Sequence, residues 1–387
     1  MASQRELDLM RAAAEGDLER VRVHLGNGAK VNARHKNGMT PLLAAALSGH
    51  SGVVKALLVQ GADIRIRYRN DATALILTAT TGHADIVKLL LAHGASVNER
   101  AKQGSTALIA AASGGHTEVM SVLLAAGANP DTSDESGVTP LHSAVVAGHA
   151  EAVRLLIESR ADVNARTGSG VVPLIAALAA GASMVRLLLD SGADPSATDE
   201  KGLPPLLLAA GNGDVETVRL LLQRGADPNG AEPGGMTALL AAAIDGGLDL
   251  IDVLIEAGAD PNARAANRTT PLIAAVVRGH LAAVDRLIAT GADVNAATQN
   301  GVTALIAAAN GCPGAVAPLI AAGADPNAAE ENGFSALVFA AAAGDAGLVK
   351  TLLGAGAQAT PHALQMSAES NNEEIARLLT SGTAGPD

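Results

Sequence analysis

The chain has 387 residues, 48% hydrophobic and only 1% aromatic, with a net charge of −12. A single cysteine, Cys312, excludes an internal disulfide framework or a cysteine zinc site, and the acidic balance opposes a phosphate backbone. Tyr68, Phe334 and Phe339 are the only aromatic rings, so bases have little to stack on, and Ala, Leu, Val and Ile must fill the interior. That composition suits many copies of one thin layer better than a single thick core.

In chain order, MASQRELDLMRAAAEGD has no apolar signal core, so a cytoplasmic location is expected. Leu7 to Leu25 then supply a helix pair that reads as an N-terminal cap over residues 1–27. From there Gly-Ala-x-x-Asn/Asp, or a near version, recurs with its first position at 28, 61, 94, 127, 160, 192, 225, 258, 291, 323 and 356. The intervals are 33 eight times and 32 twice, which makes ten full repeats over 28–356. A Thr-Pro/Ala-Leu anchor follows seven of these tails, as at Thr40-Pro41-Leu42, Thr73-Ala74-Leu75 and Thr270-Pro271-Leu272, with looser copies at Val172, Pro204 and Ser335.

Within a unit, Thr40 is a helix N-cap and Pro41 suits the first helical position, where its missing N–H costs nothing. Leu42 to Leu47 form a small-residue helix ended by Gly49, and His50 opens the turn into a second helix. Its stripe is Val53, Val54, Leu57 and Leu58; Gly61 ends it, and residues 62–72 run on as an extended loop. No unit can bury its own stripe, so the units must stack.

Later units carry exceptions. Arg160 replaces the tail glycine at a position of positive φ, at a cost on the order of 1 kcal/mol. One residue is missing around Gly181-Ala182 and again around Asn310-Gly311, where Cys312 and an in-helix Pro318 follow. Pro318 should break or shorten its helix, which marks either a local irregularity without a role or the weakest stack of the array and a hinge. The uncharged run from Val294 to Ala324 contains Asn295, Gln299, Asn300, Asn310 and Pro313, so it is no membrane span. Residues 357–380 form a polar C-terminal cap that lacks a loop, and a disordered tail is expected over 381–387.

The chain resembles the ankyrin repeat family over nearly its whole length, from about Leu7 to Leu379. The resemblance rests on the Thr-Pro-Leu-His start (Thr139 to His142), on Gly-His at Gly49-His50, Gly82-His83, Gly115-His116, Gly148-His149 and Gly279-His280, and on the Gly-Ala-Asp-x-Asn tails. It implies an all-α solenoid of about twelve stacked antiparallel helix pairs with projecting β-hairpin-like fingers, forming one domain over 1–380. At the family's usual helix spacing of about 8–10 Å the stack would be roughly 100–120 Å long. Only His142 supplies the fourth residue of the start motif, so the Thr–His hydrogen bond of the family is expected there alone.

No residue set converges on catalysis, cofactor binding or metal binding. The Gly-His histidines fit a structural role, the others have no ligand spacing, no phosphate loop occurs, and Cys312 has no basic neighbour to activate it. An enzyme is not expected. In ankyrin-like proteins the residue just before the start motif lies on the fingers and faces the concave groove. Here that register holds Met39, Val138, Leu203, Met236, Val302 and Phe334, and the ends of the first helices add Leu47, Val146, Ile244 and Val277. Charge is uneven: residues 28–105 hold ten basic and four acidic side chains, and the chain beyond 105 holds 13 and 30. The early fingers therefore offer Lys36, Arg67, Tyr68 and Arg69 as steering contacts. These positions favour a module that binds a protein partner, and the polar caps favour a monomer. Two alternatives are an inhibitor that masks an enzyme's active site and a weak nucleic-acid binder using residues 34–69.

Overall fold

The computed structural model describes residues 3–369 and 372–381. Among the described residues the regular elements are all helical, and they fall into twelve antiparallel pairs, with three isolated β-bridges in place of strands. Within the expected tail, Ser381 closes the last helix and residues 382–387 lie outside the described residues.

The chain separates into two compact units, one ending at Glu200 and one starting at Lys201. The first holds the pairs Gln4–Glu15/Leu18–Gly26, Pro41–Leu47/Ser51–Val59, Ala74–Thr81/Ala84–Ala92, Ala107–Ser113/Thr117–Ala125, Pro140–Val146/Ala150–Glu158 and Pro173–Ala177/Ala182–Asp190. The second begins with Pro205–Gly211/Val215–Gln223, Ala238–Asp245/Leu248–Glu256 and Pro271–Arg278/Leu281–Ala289. It continues with Ala304–Gly311/Val316–Ala321, Ala336–Ala342/Ala346–Gly354 and Pro361–Glu369/Glu373–Ser381. Within each unit a first helix packs on its own second helix and on the first helix of the next repeat.

The start motif acts as the sequence suggests. Thr40 Oγ1 accepts from the Leu43 amide at 3.2 Å, and Thr106, Thr237 and Thr270 repeat this cap. Leu42, Leu43, Ala45 and Ala46 behind it are almost fully buried. Alanines at these places let neighbouring helices approach closely, which leaves no space for rings.

Two kinds of side-chain link join neighbouring repeats within each unit. The tail Asn32 donates from Nδ2 to the Gly61 carbonyl at 3.2 Å and accepts from the Asp63 amide at 2.8 Å. Asn98, Asn164, Asn229, Asn262, Asn295 and Asn327 span to the following repeat in the same bidentate way. The Gly-His histidines also reach across repeats. Nε2 of His50 meets the Ala14 carbonyl at 3.0 Å, and His116, His149 and His280 meet Thr80, Ser113 and Ile244 likewise. A Cβ at Gly49, whose φ is 80°, would sit 2.7 Å from the ring of His83. Glycine is therefore needed there both for its backbone and for the ring of the next repeat.

The irregular unit is as short as the sequence suggests. A 3-10 turn over Pro313–Ala315 leads into the six-residue helix Val316–Ala321. Pro318 lies in its first turn, where no intrahelical N–H bond is lost. Cys312, Val316 and Leu319 stay buried.

Arg160 and Thr217 each carry an unrelieved local cost. Arg160 holds φ at 64° where the other tails have glycine. Thr217 is 1% exposed and its Oγ1 has no partner, although its amide is capped by Asp214. Val53, Ile86 and Val119 fill the same slot elsewhere. Arg160→Gly and Thr217→Val should each raise stability by about 1 kcal/mol, read as a higher denaturation midpoint. Lower midpoints would refute both assignments.

Candidate protein-docking surface

Each loop closes as a finger through a backbone hydrogen bond onto the residue just before the start motif. His35 N donates to Met39 O at 2.9 Å, Asp134 N to Val138 O at 3.0 Å, and Glu232 N to Met236 O at 3.1 Å. Thr298 and Glu330 close onto Val302 and Phe334 in the same way. The backbone of this register is thus held, and its side chains are free to vary. Met39, Val138, Leu203, Met236, Val302 and Phe334 are all half-buried.

In the second unit these side chains join the first-helix face. Val277 is 66% exposed, and it lines a hollow of about 330 Å³ with Ile244, Ile273, Thr298 and Val302. A neighbouring hollow of about 220 Å³ shares Val277 and Val302 and adds Ile306, Asn310 and Phe339. Phe339 is half-buried and packs tilted against Phe334, with ring centroids 6.0 Å apart. Phe334 in turn lies 5.5 Å from the ring of His362. The result is a continuous apolar groove with a ring pair near one end.

The first unit is built differently. Val146 is 74% exposed and Leu47 half-buried, while the fingers carry the charge. Arg34 donates to the Arg67 carbonyl at 3.1 Å, Arg67 to the Arg100 carbonyl at 2.8 Å, and Arg100 to the Ser133 carbonyl at 2.5 Å. This arginine ladder runs finger to finger at the repeat spacing. Arg67 also donates to the Asp71 carbonyl at 2.9 Å and forms an ion pair with Glu99, so its guanidinium is engaged within the protein. Tyr68 is half-buried beside Gly38 and has the Arg69 guanidinium 5.5 Å from its centroid. Lys36 and Arg69 are exposed.

In the second unit Val302 and, through Phe339, Phe334 are therefore brought together with the helix-end residues Ile244 and Val277, whereas Arg67 serves as a strut. Sequence reading missed the register four residues after the start of the motif, which holds Leu77, Leu208 and Phe339, all half-buried on the same face. Its signal was variability across repeats, since it also holds Ala44, Ala110 and Ser143 while the core registers stay Ala, Leu, Ile or Val. The ladder too was visible as Arg34, Arg67 and Arg100 at intervals of 33.

Among the described residues no group of three or more His, Cys, Asp and Glu side chains could hold a metal ion, and no helix is long and apolar enough to cross a membrane. A family model described as ankyrin repeats (three copies) matches residues 9–101, 94–167, 174–265, 263–330 and 307–387. No curated protein matches the chain.

His142 lies under this surface and is 2% exposed. Its Nε2 donates to the Val171 carbonyl of the next finger at 3.1 Å, and its Nδ1 accepts from Thr139 Oγ1 at 2.9 Å. Burial pushes its pKa below the ordinary 6.5, against the opposing pull of the Val171 carbonyl. The neutral ring is thus favoured by the fold. Its stabilising contribution is present above the unfolded-state pKa and is lost as pH falls through the folded one. Wild-type stability should fall between about pH 7 and pH 5 more steeply than that of His142→Leu, measured by denaturant titration at each pH. Equal slopes would refute the assignment.

Proposed function

The chain belongs to the ankyrin repeat family, whose repeats generally serve as protein–protein interaction modules, and on that premise we propose that it is a non-catalytic docking module for a protein partner. The observation that carries this reading is the apolar groove of the second unit. Val277 stays 66% exposed between fingers whose backbones are fixed by their own closing bonds. A large aliphatic side chain left in water beside Ile244, Val302 and Phe339 gains little for folding, so its use lies in covering by another surface.

On this reading Leu203, Met236, Ile244, Val277, Val302 and Phe334 form the contact of the second unit, and Met39, Leu47, Val138 and Val146 offer a contact of their own in the first. The module acts as a cytoplasmic monomer, with residues 1–27 and 357–380 as its polar ends.

Peptides selected from a displayed library on the immobilised chain provide the test. Val277→Asp and Ile244→Asp should each weaken the selected peptides at least about tenfold, because a buried unpaired charge costs more than 1.4 kcal/mol. Far-ultraviolet circular dichroism should be unchanged. Peptides that bind both variants as tightly as wild type would sink the groove, and a dimeric mass by light scattering would refute the monomer.

A further inference from the structure

The fingers within residues 29–40, 62–73 and 95–106 carry eight basic and three acidic side chains. Much of that charge is already used. Arg65 pairs with Asp63 and Arg67 with Glu99. Arg34, Arg67 and Arg100 form the ladder onto neighbouring carbonyls. Three cations remain in one register: Lys36, Arg69 and Lys102, each exposed and each two residues before the left-handed turn position at Gly38, Asp71 or Gly104. Among the described residues none of the three has a carboxylate partner; Arg69 touches only the face of Tyr68.

This row has a pitch and an end. Adjacent repeats stand about 8–10 Å apart, the distance between packed helices. The ladder holds successive fingers at that pitch. The same register in the fourth finger is Glu135, with Asp134 beside it, so the row stops after three cations and reverses sign. Three residues of extended chain cover about 10 Å. An extended segment with a carboxylate at every third residue therefore matches the row.

We propose that Lys36, Arg69 and Lys102 form a docking row for an extended acidic protein segment bearing carboxylates at three-residue intervals. This rests on reading the chain as a protein-docking module and adds the chemistry of the partner. A nucleic acid fits less well. Its phosphates would continue past the third finger into Glu135 and Asp134, on a chain of net charge −12. The one phenol ring at the tips, Tyr68, is half-buried and has Arg69 over it, so the row offers no series of stacking platforms for bases.

The test uses a fluorescent peptide of Glu-Ser-Gly triplets, the same peptide with Gln for Glu, and an oligo-dT of equal charge, titrated by anisotropy at low ionic strength. The Glu peptide should bind wild type and the Gln peptide should not. The combined variant Lys36→Glu, Arg69→Glu, Lys102→Glu should lose affinity on the order of 30-fold. A charge-matched control, Arg11→Glu, Lys55→Glu, Arg219→Glu, changes exposed cations away from the tips and should stay within about threefold of wild type. The proposal is overturned if the tip variant binds like wild type or if the control loses as much. Tighter binding of oligo-dT through the same tips would also overturn it. Failure at the tips with library-selected groove peptides still bound removes only the acidic partner. Failure of both probes removes the docking reading itself.

Discussion

A single helix pair here cannot close its own core, and much of what stabilises a repeat is contact with its neighbours along the chain. First helices bury Leu42, Leu43, Ala45 and Ala46 against the helices on either side, and the polar groups follow the same rule. Asn32 satisfies the backbone of Gly61 and Asp63, and His50 satisfies Ala14. Because these links span a fixed step, the residues that make them recur at an almost fixed interval, and the apolar space between steps stays narrow. The near absence of aromatic residues is a consequence of that narrow seam.

The same constraint decides which residues are free. Once the start motif caps a helix, the tail Asn bridges to the next repeat and the Gly-His pair interlocks, three registers are left to vary from repeat to repeat. They are the residue before the start motif and the two first-helix positions four and seven residues after its first. All three lie on one face, since positions three apart on a helix are neighbours. In the second unit Ile244, Val277, Val302 and Phe339 from these registers line joined hollows, together with Thr269 and Asn310. In the first unit they give way to charged fingers braced by an arginine ladder. The two units thus present different chemistry on one framework.

The fold was largely legible. Helix starts at Thr40, Thr73 and Thr270, helix ends at glycine, the local shortening around Pro318 and the positive φ of Arg160 all follow from residue types in known places. The β-hairpin-like fingers appear as hairpin-closing bonds with isolated bridges, because each arm is too short to make a ladder. The surface was legible only in part. Phe339 reads as core from its helix and is half-exposed in space, and Arg67 reads as a free contact but is held by Glu99 and two carbonyls.

Residue order alone settles the repeat, the pairing of helices and the registers that must stay small, because these depend on contacts that are local or one fixed interval away. It also marks the varied registers, since repetition makes every departure visible. Three-dimensional packing decides what those departures do. Whether an arginine at a finger is a strut or a free cation depends on which carbonyls its guanidinium reaches 33 residues on. Whether a phenylalanine is core or groove depends on how far the adjacent repeat covers it. Side-chain reach across a repeat boundary is a property of relative position, and no spacing along the chain encodes it.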